Sequence, residues 1–187
     1  MLKRLASLMG AVVSLFLGLS LAGCAPAEVT PSSTPYPTID AKLIPSAAPD
    51  DAIAVSTTDF DAKFGIYAFK AGTGSAWCSI DTKNKFVICE QNEADAMYTP
   101  IPTPNDCYGS FGYQLELDAA KPATGDIAHF NCSGSYYTDP TNLATLSDHQ
   151  KIVAAGFTCW VQKITARCDN ESGNYIALGP DAWALGN

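Results

Sequence analysis

The sequence predicts an all-β chain: a small disulfide-stapled antiparallel sheet or sandwich built of hairpins, after a signal peptide and a disordered proline-rich tether. Three observations carry this. Six cysteines remain once Cys24 is set aside, and an even count in an exported chain reads as disulfides. Alternating runs such as Tyr113-Gln114-Leu115-Glu116-Leu117 are separated by Gly, Pro and Asn at turn spacing. After residue 23 the chain has no long apolar run. The 187 residues carry a net charge of -8, with a pI near 4.5. That balance argues against nucleic acid as a partner, because phosphate binding needs a basic face. It also argues against attraction of the folded part to anionic lipid.

Taken in chain order, Lys3 and Arg4 form a short positive region, and residues 5–23 are uncharged, apolar and end in small residues. That is the form of an export signal. Leu21-Ala22-Gly23-Cys24 resembles the bacterial lipobox, in which the cysteine thiol receives diacylglycerol and the signal is cut just before it. The resemblance implies that residues 1–23 are a lipoprotein signal peptide. Cys24 would then be the lipidated mature N-terminus, on the extracytoplasmic face of the cell membrane. One acyl chain anchors only marginally, and the lipoprotein modification supplies at least two. Lys3-Arg4 is not a twin-arginine pair, which favours the general export route. Removing Lys3 and Arg4 with the signal leaves the mature chain two charges more negative than -8.

Residues 24–50 read as the lipidated cysteine and a tether. Pro26, Pro31, Pro35, Pro37, Pro45 and Pro49 fall here, among Ala, Ser and Thr. Such a run offers little apolar surface to offset ordering entropy. As extended polyproline II it could reach about 80 Å.

Residues 60–187 form the stapled β domain, and strand register suggests how its cysteines pair. If Cys78 and Cys89 oppose each other in a hairpin, Ile80 faces Val87 on the disulfide side. Trp77, Ser79, Ile88 and Glu90 then take the other face. The turn falls at Lys83-Asn84, where Asn tolerates positive φ. With Cys159 opposite Cys168, Val161 faces Ala166, and Trp160 meets Arg167 on the outer face as a cross-strand cation–π pair. Lys163-Ile164 is poor chemistry for a two-residue turn, so a loop over Gln162 to Thr165 is expected. Cys107 and Cys132 remain, and close a hairpin of strands near 113–117 and 127–132. A strand is expected over Phe64–Phe69 and another over Tyr175–Leu178. The two outer hairpins share a Cys-strand-turn-strand-Cys plan, a weak sign of duplication. Residues 140–154 read either as a helix capped at Asp139-Pro140 or as a loop followed by a strand near Gln150–Val153.

Several segments together resemble a six-cysteine domain of actinobacterial secreted proteins and lipoproteins. They are Gly74-Ser75-Ala76-Trp77-Cys78, the proline-rich Thr99–Pro104 before Cys107, Asn131-Cys132-Ser133-Gly134, Gly156-Phe157-Thr158-Cys159, Arg167-Cys168-Asp169 and Gly173-Asn174-Tyr175. The resemblance spans residues 60–187. It implies three cysteine pairs, no assigned activity, and an extended conformation before Cys159, which tips residues 140–154 away from helix. The chain departs at Asp148-His149, where members carry Tyr-Gly.

A catalytic constellation is not visible in the sequence. His129 sits on a predicted strand, and Ser147-Asp148-His149 are neighbours in sequence, whereas a triad is assembled from distant segments. No cofactor motif and no metal motif stand out, and Asp169-Asn170-Glu171 reads as a turn, so the expectation is no cofactor, no metal and no enzyme. Trp77, Trp160 and Arg167 are expected on the face opposite their disulfides, where, if both hairpins join one sheet, they either meet a second layer or remain exposed as a binding patch, and Tyr136 and Tyr137 are expected as contacts beside flexible residues. The expected function is a cell-surface lipoprotein that binds envelope glycan or protein. The alternative is a small secreted hydrolase or enzyme inhibitor.

Overall fold

The computed structural model describes residues 36–186. The expectations on the signal peptide, on Cys24 and on residues 24–35 lie outside the described residues. What is described is all-β, as the sequence predicts. The strands are β1 Ile53–Ala54, β2 Ile66–Ala71, β3 Trp77–Asp81, β4 Phe86–Glu90, β5 Ser110–Asp118 and β6 Ala128–Ser133. They continue as β7 Ala144–Leu146, β8 Gln150–Ala154, β9 Phe157–Gln162, β10 Thr165–Asn170, β11 Tyr175–Gly179 and β12 Ala182–Gly186.

They form two six-stranded sheets. The front sheet has the order β6-β5-β4-β3-β2-β7, and the back sheet β1-β8-β9-β10-β11-β12. In each, five consecutive strands make an antiparallel meander, and one short strand is added in parallel. Phe69 of β2 lies opposite Ala144 of β7, and Ile53 of β1 opposite Gln150 of β8. The sheets stack, with β11 across from β4 and β5 and β12 across from β6. Phe69, Ile80, Leu115, Leu117, Leu146, Ile152, Phe157 and Ile176 fill the space between them, fully buried. Each such side chain contributes about 1.5–3 kcal/mol by leaving water.

The cysteines pair 78–89, 107–132 and 159–168. Both short hairpins adopt the register their cysteines imply: Ile80 opposite Val87, Val161 opposite Ala166, Trp160 opposite Arg167. Two disulfides point into the core, where the Cys78, Cys89 and Cys168 sulfurs lie within 4.8 Å of one another. Residues 140–154 hold a single 3-10 turn over Pro140–Asn142, capped by the Asp139 carboxylate on the Thr141 N–H, and then β7 and β8.

Two turns differ from expectation. In the β3–β4 turn the positive φ belongs to Lys85 (60°), not to Asn84. The Asp81 carboxylate accepts from the N–H groups of Lys83 and Asn84 and winds the turn forward by a residue. In β9–β10, Gln162 pairs with Thr165, so the turn is the two residues Lys163-Ile164, with Lys163 at φ 59°. Tertiary contacts override the poor turn chemistry. Asp148 Oδ1 accepts the Lys163 N–H at 2.8 Å. Gly72 admits the Lys163 carbonyl, which would stand 2.4 Å from a β-carbon there.

The tether expectation is corrected over residues 36–50. Tyr36 sets its ring edge against Phe130 and Trp183, and Ile39 packs on the core. Pro45 is buried. An extended proline-containing segment makes no internal hydrogen bonds and so leaves its carbonyls free. Here donors on the back sheet take them: Arg167 Nη1 to Pro45 O at 2.8 Å, and Trp160 Nε1 to Ser46 O at 3.0 Å.

Candidate functional site

Trp77 and Trp160–Arg167 do not form one exposed patch, because their hairpins belong to different sheets and both tryptophans are covered. Trp77 is 1% exposed and lies on the outer face of the front sheet, while Trp160, 2% exposed, lies with Arg167 on the outer face of the back sheet. Outward tryptophans amid apolar neighbours tend to be covered, and each is covered by a segment the sequence left irregular. Residues 45–46 cover Trp160. Arg167 sits opposite Trp160 in register, but its guanidinium stacks on Tyr175, 3.6 Å from the ring centroid, and pairs with Asp169 at 2.6 Å. The expected Trp160–Arg167 stack is therefore replaced by Arg167 on Tyr175.

Over Trp77 the covering segment is Gly134 to Thr138. Tyr136 packs edge-on against Trp77, with ring centroids 5.1 Å apart, and Tyr137 against Phe86 at 5.3 Å. Three of the five anticipated contact residues, Trp77, Tyr136 and Tyr137, thus meet in one place. Glu90, opposite Trp77 in register, joins them. It is 1% exposed and accepts from Trp77 Nε1 (3.0 Å), Gln114 Nε2 (2.7 Å), Tyr137 N–H (2.8 Å) and Thr138 N–H (3.4 Å). Burial raises the Glu90 carboxyl above its ordinary range, and these four donors work against the rise.

Beside this floor opens a concavity of about 450 Å³. Three pieces of chain form its wall: the end of β4 with Glu90 to Glu93, the start of β5 with Tyr113 and Gln114, and the loop Ser133 to Tyr136 after β6. A bulge between Phe111 and Leu115 shifts the β5–β6 register here. Gly112, at φ 94°, permits it, and its carbonyl accepts the Tyr98 hydroxyl at 2.8 Å. Bulges re-aim side chains at strand ends, and this one sets Tyr113 and Gln114 on the rim. The Tyr136 hydroxyl donates to Asn92 Oδ1 and closes the loop onto the 3-10 turn that follows β4. Gln91 donates through Nε2 to the Tyr98 hydroxyl at 2.8 Å, while its Oε1 is buried without a partner among the described residues. Tyr136 is 53% exposed, and Tyr108 on the neighbouring loop is fully open to solvent. The lining is thus tyrosine faces, side-chain amides, hydroxyls and the acids Glu90 and Glu93, with no lysine or arginine.

Glu90, Gln91, Tyr113 and Gln114 were not singled out by sequence reasoning. A glutamate beside a tryptophan on an outward strand face was the available signal for Glu90. Elsewhere, His149, at φ 61°, and Asp148 turn the chain from β7 to β8, with their side chains 3.9 Å apart. His129 Nδ1 lies 3.1 Å from the Asp126 carbonyl. Among the described residues the cluster of metal-ligating types is Cys78, Cys89 and Cys168, whose sulfurs are bound in disulfides and carry no thiolate.

No family model matches the chain, and no curated protein or solved structure does either.

Proposed function

We propose that this chain is a lipid-anchored, extracytoplasmic binding module whose concavity on the front sheet takes a polyhydroxylated envelope glycan. The observation that carries the reading is the lining. Tyrosine faces suit stacking on sugar rings, and amides, hydroxyls and carboxylates suit the donors and acceptors of a neutral polyol. The absence of cations from the wall works against a phosphorylated or sulfated ligand. The lipobox-like Leu21–Cys24 and the three cysteine pairs support the extracytoplasmic placement. The resemblance to the six-cysteine actinobacterial domain belongs to the same proposal.

The test is retention of the purified chain on insoluble peptidoglycan and envelope polysaccharide. Tyr136→Ala and Gln114→Ala should each weaken retention about tenfold, which corresponds to ~1.4 kcal/mol. Retention that neither change alters removes the site from the proposal. A second reading, hydrolysis, rests on Glu90, whose carboxyl burial raises at the wall of the concavity. Release of reducing ends that disappears in Glu90→Gln would establish that reading. Saturation of Glu90 by four donors favours a fixed acceptor over a proton donor.

A further inference from the structure

The two halves of the chain are built to one plan. Each half is an arm followed by a five-stranded meander, and each arm docks on the sheet made by the other half's meander. The arm of residues 134–146 leaves β6, lays Tyr136 and Tyr137 across the outer face of the front sheet over Trp77, and ends there as β7 beside β2. The arm of residues 36–54 starts at the seam of β6 and β12 with Tyr36. It lays Pro45 and Ser46 across the outer face of the back sheet over Arg167 and Trp160, and ends as β1 beside β8. In both arms an aspartate, Asp40 or Asp139, caps a single 3-10 turn. The disulfides 78–89 and 159–168 join the second and third strands of the two meanders. Within one chain this is the arrangement of an arm-exchanged dimer.

The arms differ in how they are tethered. The later arm is held at both ends, by β6 and β8. The earlier one is held to the meanders at one end only, through residues 55–65. We propose that residues 36–54 are an exchangeable arm, and that the groove they fill across the back sheet takes the same arm from a second copy of this chain.

The bonding of the arm supports this. Besides the ring packing at Tyr36 and the burial of Ile39, Pro45 and Ala52 against the body, it is held by side-chain donors on its carbonyls and by a two-residue parallel pairing. Lys151 Nζ reaches the Pro49 and Asp50 carbonyls at 3.4 Å, Ile53 N–H donates to His149 O at 3.0 Å, and Val55 N–H to Lys151 O at 2.9 Å. Every one of these bonds reforms identically with an arm from another molecule. Closed and exchanged forms therefore differ in the hinge and in the entropy of association, and concentration decides between them. Ser56 is the hinge. Its extended backbone (φ -70°, ψ 134°) lies between β1 and the 3-10 turn Thr57–Phe60, whose Phe60 is buried and fixes the meander side. Nineteen extended residues span about 60 Å, enough to reach a neighbour. The proposal rests on the fold and is independent of the ligand site.

The experiment uses the whole chain in detergent, in equal light and 15N-labelled portions, with benzoylphenylalanine replacing Tyr36 beside Trp183 and Phe130. After incubation at high concentration, a dimer should appear. About half of its photo-cross-links from position 36 to β6 or β12 should join a light to a heavy chain, as random pairing requires. After dilution and re-equilibration they should join chains of one label. A dimer with same-label links alone overturns the proposal, as does a monomer at every concentration. The unsubstituted chain gives a second measurement. Deletion of Ser56, which shortens the hinge and strains the closed form while leaving the arm's bonds intact, should raise the dimer fraction at fixed concentration at least threefold, and an unchanged fraction counts against arm exchange.

Discussion

Glu90 and Asp81 lie on the outer face of the front sheet and respond to pH in opposite senses. The Glu90 carboxylate holds the indole N–H of the buried Trp77, so Glu90→Ala leaves that donor without an acceptor. An orphaned buried donor costs ~1–3 kcal/mol, and chemical denaturation of the variant should show a loss of at least that size. For Asp81, burial works to raise the carboxyl. The Asn84 N–H, the Tyr137 hydroxyl, the Asn84 amide and the Lys83 N–H outweigh it, and the net shift is downward from 3.8. In the window below 3.8 the unfolded chain then binds the proton more readily than the folded one. Stability from Asp81 is complete above that window and is lost as pH falls through the depressed folded value. For Glu90, raised from 4.5, the folded chain keeps the proton longer, and stability declines as pH rises from 4.5 through the raised value. Thermal melts from pH 2 to 6 should therefore show an acid-side loss in the parent that is smaller in Asp81→Asn, although that variant is less stable at neutral pH. An acid limb of the same slope in Asp81→Asn would assign the loss to other carboxylates.

Hairpins are the elements that the sequence made readable, because a cysteine pair names both partners and period-two alternation then assigns every side chain to a face. The arms were unreadable for a physical reason. A two-residue parallel strand such as Ile53–Ala54 has no periodicity, and its partner Gln150–Lys151 lies far along the chain. Prolines at 45 and 49 also signal an unordered spacer until the donors that capture their carbonyls are known. The candidate site was half legible. Trp77 and Glu90 share an outward face by register, but the bulge at Gly112 and the fall of Tyr136 onto Trp77 are tertiary events. The turns between elements carry their own prediction. Gly72, at φ 56°, takes the Lys163 carbonyl where a β-carbon would be, and so ties the β2–β3 turn to the β9–β10 turn. Gly72→Ala should cost ~1–3 kcal/mol, from the left-handed backbone and the forced separation together. Gly125→Ala, at φ 89° with open space around it, isolates the backbone part. Equal losses in the two variants would show that the turn–turn contact contributes nothing.

Crossed arms make the two sheets interdependent across the whole molecule. β7 is contributed by the second half of the chain yet completes the front sheet, with Leu146 fully buried beside β2. β1 comes from the first half yet borders the back sheet. Neither sheet retains its edge strand if the other half unfolds, and the shared core offers neither sheet a second apolar surface to bury against. Unfolding with disulfides intact should accordingly be a single transition. The tryptophans allow each sheet to be followed separately, since Trp77 reports the front sheet, Trp160 the back, and Trp183 the seam with Tyr36 and Phe130. Variants retaining one tryptophan, with phenylalanine at the other two positions, should each give a single fluorescence transition that coincides with the far-ultraviolet dichroism transition of the same variant. Adding Leu146→Ala, a large-to-small change in the core worth ~2–5 kcal/mol, should lower the Trp77 and Trp160 midpoints by the same amount, although Leu146 pairs only within the front sheet. A shift confined to the Trp77 signal would mean that the sheets unfold separately and that the crossed arms do not couple them.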